Sequence, residues 1–284
     1  MRLLRGGPAA EKVYQAIKLD LSKLFTLGVR PSLSVILVGD DPASLSYIGV
    51  KKRKAEELGF KFDFRHFQED VSEHTLCKEI VELNRVSGSC GIVIQLPLPV
   101  HFHRQQVLDC VLPSLDIDGL TSANQAKLSA GTPAFVPPTP AAILELLAYY
   151  KIRLAGRHVC IVGAGDLVGK PLSKILIHRG IAVSVATAAT RSLATLTKSA
   201  DIVITGVGSA GVIKGSMLKS GAVVIDAGTT LRSIEGKVRL LGDVDFKSAA
   251  KRASALTPTP GGVGPLTVAM LFRNAVDACL RMHT

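Results

Sequence analysis

The sequence predicts an α/β fold with two domains, a parallel α/β catalytic domain and a Rossmann-like cofactor domain. Three observations lead to this prediction. Short apolar, β-branched runs alternate with helical patterns along the chain. Hydrophobic residues make up 47% and charged residues 20% of the 284 residues, an ordinary globular balance. Aromatic residues are only 5% and Trp is absent, so the cores must consist of aliphatic side chains, as is typical of buried parallel strands.

The first half of the chain shows a strand–helix succession. Residues 8–29 predict an amphipathic helix and SLSVILVG (32–39) a buried strand. Asp41 and Pro42 are typical of a helix N-cap and first position, and Gly59 of a helix end. A strand at 60–67, a helix at 72–86 and a strand at 91–99 follow. This order predicts a parallel sheet.

The second half repeats the pattern and predicts the Rossmann-like unit. The predicted elements are a helix at 139–150, a strand at 158–165, a helix at 169–178, strands at 182–187, 201–208 and 222–228, and a helix at 266–282. FVPPTPA (135–141) is typical of a linker between the halves, and the Gly/Pro-rich stretch 256–265 of a second connection.

The net charge of +11 leaves two classes of partner open. Nucleic acid is one. However, the basic residues are spread along the chain without a Lys/Arg-rich run, so an anionic small substrate or cofactor explains the sign equally well. We therefore expect no nucleic-acid partner.

The cysteines and the N-terminus bear on location and metal binding. The five cysteines are widely spaced and form no CxxC pair, so we expect no metal site and a reducing compartment. The N-terminal apolar stretch is too short for a signal peptide, and no run of eighteen apolar residues appears. We expect a cytoplasmic protein with no membrane partner.

The first candidate chemical group lies on the helix after the first long strand. Tyr47 and Lys51, four residues apart, share one helix face. In parallel α/β sheets, ligands bind where such helices begin. A partly desolvated Lys has a lowered pKa and can exchange protons with a substrate. The alternative is a solvated helix face, since Lys52, Arg53 and Lys54 follow directly.

Further polar side chains are expected at the edge of the predicted sheet where that helix starts. Gln95 begins QLPLP (95–99), at the end of a buried strand, where its amide can reach a substrate or merely cap a Pro-rich turn. Asp116 and Asp118 in PSLDIDGL can bind a pterin-like edge or shape a turn. The spacing leaves both readings open.

GAGDLVG, from Gly163 to Gly169, lies between a strand and a helix and predicts a dinucleotide site. It is one residue longer than the standard fingerprint, and no acidic residue ends the next strand to hold a ribose.

TPTPGGVGPLT (257–267) could cradle a carboxylate or a ring with its backbone N–H groups, or serve as a tight linker.

In combination and in this order, the motifs resemble the bifunctional methylenetetrahydrofolate dehydrogenase/cyclohydrolase family. They are Y-x-x-x-K, QLPLP, D-x-DG, P-x-TP, the glycine-rich turn running into VGKP, GDVDF and TP-x-PGGVGP-x-T. The resemblance spans the chain from VGDDPAS (38–44) to the C-terminal helix.

The resemblance implies an overall organisation and two reactions. Residues 1–120 and 262–284 would form the catalytic, folate-binding domain, 121–261 the NAD(P)-binding domain, and the active site the cleft between them. The family oxidises 5,10-methylene- to 5,10-methenyltetrahydrofolate with NADP and hydrolyses the product to 10-formyltetrahydrofolate. It usually forms homodimers.

The resemblance also implies residue roles. Lys51 would transfer protons during hydrolysis, Gln95 would orient Lys51, Tyr47 would stack on the folate rings and Asp118 would bind the pterin. The implied substrate contacts also include Leu96, Pro97, Gly261, Gly262, Val263, Gly264 and Pro265. The implied cofactor contacts are Gly163, Ala164, Gly165, Val168, Gly169, Thr187, Ala188 and Thr229.

Two departures from the family concern the cofactor. The common G-R-S is Gly163-Ala164-Gly165 here, and the common H-S-x-T is 187–190, TAAT. Both family motifs contact the NADP 2′-phosphate, so NAD becomes an alternative to NADP. Two other functions stay open: a cyclohydrolase or folate-binding protein with weakened or lost dehydrogenase activity, and an NAD-dependent dehydrogenase of another small substrate, which the Tyr47, Lys51 and Gln95 set disfavours.

Overall fold

The computed structural model describes residues 1–234 and 237–283 as two compact units. Unit 1 comprises Met1–Lys12 and Pro137–Met270, and unit 2 comprises Val13–Val136 and Leu271–Thr284, described to residue 283. Each unit contains its own parallel sheet and its own hydrophobic core.

The elements alternate between strands and helices, as the sequence predicts. The strands are β1 (Arg2–Leu3), β2 (Ser32–Val38), β3 (Lys61–Phe67), β4 (Ser89–Ile94), β5 (His158–Val162), β6 (Ala182–Ala186), β7 (Ile202–Thr205), β8 (Val223–Asp226), β9 (Thr230–Ile234), β10 (Lys237–Leu241) and β11 (Ala255–Leu256). The helices are α1 (Gly6–Thr26), α2 (Pro42–Leu58), α3 (Glu73–Leu83), α4 (Arg104–Asp109), α5 (Ser122–Ser129), α6 (Pro138–Tyr149), α7 (Gly169–His178), α8 (Leu193–Ser199), α9 (Phe246–Ala249) and α10 (Val263–His283).

Unit 2 is built on a three-stranded parallel sheet in the order β3-β2-β4. Every residue of β2 and β4 is buried, which explains why both strands are continuous apolar runs instead of alternating ones. Helices α3 and α4 pack their apolar side chains against this sheet. The carboxyl ends of β2 and β4 lie side by side, because Ile36 pairs with Ile94.

Helix α2 has the ends that its sequence predicts. The Asp41 side chain accepts a hydrogen bond from the backbone N–H of Ser44 at 2.8 Å, and Pro42 occupies the first turn. The helix ends at Gly59, whose backbone is left-handed. These ends set the start of α2 directly after β2, which brings its side chains to the carboxyl edge of the sheet.

Unit 1 contains a six-stranded sheet in the order β1-β11-β8-β7-β5-β6, with all neighbours parallel. An antiparallel hairpin of β9 and β10 is separate from it. Because the strands run in one direction, the loops that follow β5, β7, β8 and β11 all begin at one edge of the sheet. The predicted Rossmann-like α/β architecture is confirmed.

The compact units differ in extent from the predicted domains of 1–120 with 262–284 and 121–261. Segment 121–136 belongs to unit 2. Its Asn124 side chain donates to the Pro113 carbonyl at 2.9 Å and to the Asp116 carboxylate at 2.8 Å. Arg281 of α10 donates to the Ala134 carbonyl at 2.9 Å. The chain enters unit 1 at Pro137, inside the predicted linker 135–141.

Within the described residues, one helix, α10, is long and apolar enough to cross a membrane by length and composition alone. However, 56% of that apolar stretch is buried inside the protein, as in the core helix of a globular domain.

Candidate functional site

Lys51, Gln95 and Asp118 come together at the carboxyl edge of the unit 2 sheet. Lys51 lies on α2, which follows β2, and Gln95 directly follows β4. The Lys51 Nζ atom donates a hydrogen bond to Gln95 Oε1 at 2.9 Å, and Gln95 Nε2 donates to the Leu96 carbonyl at 2.9 Å. With both ends of its amide engaged, Gln95 has a fixed orientation and holds the Lys51 amine in place.

The electrostatics of Lys51 and Asp118 depend on each other. Burial lowers the pKa of Lys51, and the negative charge of Asp118 partly opposes this shift. Burial raises the pKa of Asp118 to about 6; Lys51 opposes that shift and the nearby Asp116 adds to it. The pKa of Lys51 is therefore lower than that of an exposed Lys and the pKa of Asp118 higher than that of an exposed Asp, which suits groups that exchange protons with a ligand.

Asp116 shapes the turn that carries Asp118. Its buried carboxylate accepts hydrogen bonds from the backbone N–H of Leu120 at 3.0 Å and of Thr121 at 2.8 Å. Asn124 Nδ2 donates to the same carboxylate at 2.8 Å. Of the two readings that the sequence left open for this pair, the turn-shaping one therefore describes Asp116, whereas Asp118 interacts electrostatically with Lys51.

The remaining predicted substrate contacts of unit 2 flank this group. Tyr47 lies one helical turn before Lys51 on α2 and its side chain is 44% exposed. Leu96 is half-buried and Pro97 is exposed, and the peptide bond between them is cis. An exposed ring next to an amine and an amide offers a surface on which a flat heterocycle can stack.

The glycine-rich turn of unit 1 leads from β5 into α7. Gly163 has a positive φ of 104°, and a Cβ atom there would lie 2.7 Å from Val207 Cγ1. A Cβ atom at Gly169 would lie 1.9 Å from the Gly163 carbonyl oxygen. These two positions require glycine for the turn itself, whereas Gly165 is exposed and faces open space. The turn therefore fits the backbone approach of a dinucleotide pyrophosphate at the start of α7.

The other predicted cofactor contacts also lie in loops at the carboxyl edge of the unit 1 sheet. Thr187 and Ala188 follow β6 and Thr229 follows β8; all three are exposed. The hydroxyl of Thr190 accepts a hydrogen bond from the Thr187 N–H at 2.9 Å, which closes the loop after β6. Ala164 and Val168, in the glycine-rich turn, are half-buried.

The glycine- and proline-rich segment of unit 1 leads into α10. Gly262 and Val263 are buried, whereas Gly264 and Pro265 are exposed. The Gly6 N–H donates to the Gly261 carbonyl at 3.0 Å, so this segment is held against the start of α1.

The sequence reasoning missed the polar groups that support these loops. Asn274 of α10 donates to the carbonyls of Ile117 at 2.8 Å and Val136 at 2.9 Å, next to Asp118. Asp226 and Asp243 are buried in unit 1. Of these three residues, Asp243 lies in a motif that the sequence analysis singled out, GDVDF, but the motif does not identify the partners of Asp243.

Family comparisons agree with this geometry. Residues 4–118 match the family model of the tetrahydrofolate dehydrogenase/cyclohydrolase catalytic domain, and residues 137–283 match that of the tetrahydrofolate dehydrogenase/cyclohydrolase NAD(P)-binding domain. The bifunctional protein FolD of Nautilia profundicola is 42% identical over 98% of this chain and 97% of its own length.

Solved structures show the same fold. The bifunctional FolD enzyme of Campylobacter jejuni has a TM-score of 0.94 and 37% identity, with 99% of both chains covered. The FolD of Trypanosoma brucei, complexed with NADP and an inhibitor, has a TM-score of 0.95 and 34% identity over 99% of this chain and 97% of its own. With both of its domain models matched and relatives that cover nearly its whole length, this chain belongs to the tetrahydrofolate dehydrogenase/cyclohydrolase family of enzymes.

Proposed function

We propose that this chain oxidises 5,10-methylenetetrahydrofolate to 5,10-methenyltetrahydrofolate with a nicotinamide dinucleotide and hydrolyses the product to 10-formyltetrahydrofolate. The observation that carries the proposal is the hydrogen bond from Lys51 to Gln95, beside Asp118, in a chain of this family. We assign the folate chemistry to unit 2 and dinucleotide binding mainly to unit 1.

In the hydrolytic step Lys51 is the proton-transfer group. Water adds to the electrophilic carbon of the cationic methenyl bridge and loses both of its protons as it becomes the formyl oxygen: one is gained by the nitrogen that leaves that carbon, and the other is released to solvent. Burial lowers the pKa of the Lys51 amine, so that it gives up and takes back a proton more readily than an exposed lysine and can serve both needs. The Gln95 oxygen accepts from Lys51 and aims its Nζ atom at one point.

The folate ring system is held by the groups around Lys51. Tyr47 stacks on the rings, and Asp118 accepts hydrogen bonds from the N–H groups of the pterin. Leu96 and Pro97 complete the substrate contacts of unit 2. A ring held in this way presents its one-carbon bridge in a single orientation, which is the main requirement for both steps.

The dinucleotide is held by backbone groups of unit 1. Gly163, Ala164, Gly165, Val168 and Gly169 take the pyrophosphate at the start of α7, and Thr187, Ala188 and Thr229 line the neighbouring loops. When bound, the nicotinamide ring supplies the hydride acceptor. The chain's own part in oxidation is to bind and orient the folate and the dinucleotide and to exclude water. No more is needed, because nitrogen lone pairs next to the methylene carbon already favour loss of hydride.

Substitution of Lys51 by Met tests the assignment. Methenyltetrahydrofolate hydrolysis, followed by the loss of methenyl absorbance, should fall at least about a hundredfold because no other group replaces the proton transfer. Oxidation of methylenetetrahydrofolate should remain measurable. Lys52→Met is the matched control: it removes an exposed lysine of the same helix and should leave both rates unchanged.

Hydrolysis at the wild-type rate in Lys51→Met would remove Lys51 from its role. If the wild-type chain bound folate but neither NADP nor NAD at millimolar concentration, the chain would be a folate-binding protein or a cyclohydrolase alone. The absence of the family's Arg and Ser at Ala164 and Gly165 gives that second candidate its basis.

We propose NADP as the cofactor, with only a small preference over NAD. Ala164 and Ala188 stand where the family has its 2′-phosphate contacts, and neither side chain can donate a hydrogen bond. A charged contact to phosphate is worth roughly 1.5–3 kcal/mol, so its loss should reduce the preference by about tenfold or more.

The ratio of kcat/KM for NADP to that for NAD measures this preference. Introducing Ala164→Arg should raise the ratio by about tenfold. A wild-type ratio already above about a hundred, not raised by Ala164→Arg, would mean that another cation such as Arg191 or Arg179 supplies the contact.

The remaining expectations concern assembly and location. We expect a homodimer, as the resemblance implies, in the cytoplasm and without a nucleic-acid or membrane partner. All five cysteines are free thiols, which suits a reducing compartment.

A further inference from the structure

A buried carboxylate with no role in the proposed chemistry lies behind the cofactor loops of unit 1. Asp243 is completely buried. Its Oδ2 atom accepts hydrogen bonds from the Thr205 hydroxyl at 2.8 Å and the Val207 N–H at 2.7 Å, and its Oδ1 atom accepts from the Ser209 N–H at 2.8 Å. All three donors belong to the end of β7 and the loop that follows it.

A second buried carboxylate, that of Asp226, lies beside it at the end of β8. Asp226 Oδ1 accepts from the N–H groups of Gly228 at 3.0 Å and Asp243 at 3.1 Å, and Oδ2 accepts from the Val244 N–H at 3.0 Å. Its own N–H donates to the Thr257 hydroxyl at 2.7 Å. The two carboxylates thus connect the loops that follow β7, β8 and β10, and the Asp226 N–H joins the loop after β11 to them.

One of these connected loops, the one after β7, packs against the glycine-rich turn. A Cβ atom at Gly163 would lie 3.0 Å from the Gly206 carbonyl oxygen, and one at Gly206 would lie 3.2 Å from Val168 Cγ1. The loop after β7 therefore packs directly against both ends of the turn, at Gly163 and at Val168. A shift of that loop must move Val207 or Val168 and so change the space available to a dinucleotide.

We propose that Asp243 is a positioning residue for dinucleotide binding: it fixes the loop 206–209 against the glycine-rich turn. This inference rests on the proposed use of that turn as the dinucleotide site. The Asp243 carboxylate accepts from Thr205, Val207 and Ser209 of unit 1, so its effect should fall mainly on the dinucleotide.

The chemistry of the site requires a carboxylate. Three donors converge on the two oxygens of Asp243, and an ionised carboxylate has lone pairs for all of them. An Asn side chain has one oxygen and one NH2 group, so one of the three donors would face another donor. A Glu side chain is one methylene longer in a place without spare room: a Cβ atom at Gly228 would lie 2.1 Å from Asp243 Oδ1.

The test compares Asp243→Asn with wild-type enzyme in three measurements. Calorimetric titration of the protein with NADP and with NAD should show a dissociation constant raised by about tenfold or more. The KM for the dinucleotide should rise by a similar factor with a smaller change in kcat. Methenyltetrahydrofolate hydrolysis should stay within about twofold of wild type, which shows that unit 2 is intact.

Asp245→Asn is the matched control, because Asp245 lies two residues further on and its side chain accepts from the Ser248 N–H at the start of α9 instead of from the loop 206–209. It should leave the dinucleotide dissociation constant unchanged. If Asp243→Asn does not fold, Thr205→Val removes one of the three donors at nearly constant volume. That variant should raise the dissociation constant about threefold.

An unchanged dissociation constant in Asp243→Asn, or in Thr205→Val where the first variant does not fold, would overturn the inference. Equal effects of Asp243→Asn and Asp245→Asn would overturn it too, because both would then act only through stability. Failure of the wild-type chain to bind NADP and NAD would instead contradict the proposed function.

Discussion

Lys51 and Asp118 influence each other's protonation in opposite directions. Burial favours the neutral form of each, and the opposite charge of the partner favours the ionised form of each. Removing one charge should therefore move the pKa of the other. The pH dependence of hydrolysis can report that movement without any change in the fold.

Asp118→Asn should shift the pH profile of methenyltetrahydrofolate hydrolysis. The negative charge of Asp118 raises the pKa of Lys51, so without it the pKa of Lys51 falls further. The limb of kcat that follows Lys51 should move to lower pH, and any limb near pH 6 from Asp118 itself should disappear. The measurement is kcat between about pH 5 and 9 at saturating substrate.

Asp63→Asn serves as its control, since Asp63 pairs with Arg65 on β3 and does not contact Lys51. The control should reproduce the wild-type profile. A wild-type profile in Asp118→Asn would mean that its carboxylate does not set the charge of Lys51.

The sequence singled out some residues of the candidate sites and missed others for a physical reason. Lys51 and Gln95 occupy positions that follow buried strands, and strand periodicity locates such positions. Asp243 and Asn274 act through contacts with residues far along the chain, at a separation of 34 residues for the Asp243–Ser209 hydrogen bond and 157 for the Asn274–Ile117 one. No local pattern contains that information.

At the scale of elements, the long predicted helices and strands were correct within a few residues. The main differences are shorter strands. The predicted strand 91–99 ends at Ile94, because Pro97 and Pro99 cannot donate to a sheet. The predicted strand 158–165 ends at Val162, because Gly163 turns the chain into the loop before α7.

The elements that the sequence did not predict are short. They include β1 and β11, of two residues each, and helix α9, of four. Their hydrogen bonds come from neighbours in the fold, such as the pairing of Leu3 with Leu256. Periodicity needs more residues than such elements contain.

Helix α10 stabilises the Asp118 turn through Asn274. Replacing Asn274 with Leu should lower the free energy of unfolding by roughly 2–4 kcal/mol, because the buried carbonyl of Ile117 and the half-buried carbonyl of Val136 would lose their donor. Because Ile117 adjoins Asp118, the KM for folate should also rise. Urea unfolding and steady-state kinetics measure the two effects.

Thr267→Val on the same helix is the comparison variant. The Thr267 hydroxyl bonds only to the Val263 carbonyl within α10, so its loss should change the unfolding free energy by less than about 1 kcal/mol. A similarly small change in Asn274→Leu would show that its two hydrogen bonds contribute little to holding the turn.

At the scale of the whole molecule, the net charge and the arrangement of the sheets both suit the ligands of the proposed function. The net charge of +11 raises the local concentration of anions, and folates and nicotinamide dinucleotides are both anionic. Two parallel sheets in separate units supply two carboxyl edges, where α/β folds bind ligands. The proposed function assigns one class of ligand to each edge.

Each unit is built from segments that lie far apart in the chain. This arrangement affects how the protein folds during its synthesis. In unit 1, β1 pairs with β11, so β1 has no partner until residues 255–256 have been translated. In unit 2, Phe60 packs edge-on against Phe272 of α10, and the turn that carries Asp118 needs the hydrogen bond from Asn274 to the Ile117 carbonyl. Neither unit can reach its final packing until almost all of these residues have been translated. During that time Leu4, which is fully buried and donates to the Leu256 carbonyl in the folded protein, lacks this partner, and apolar surface left exposed in this way promotes aggregation.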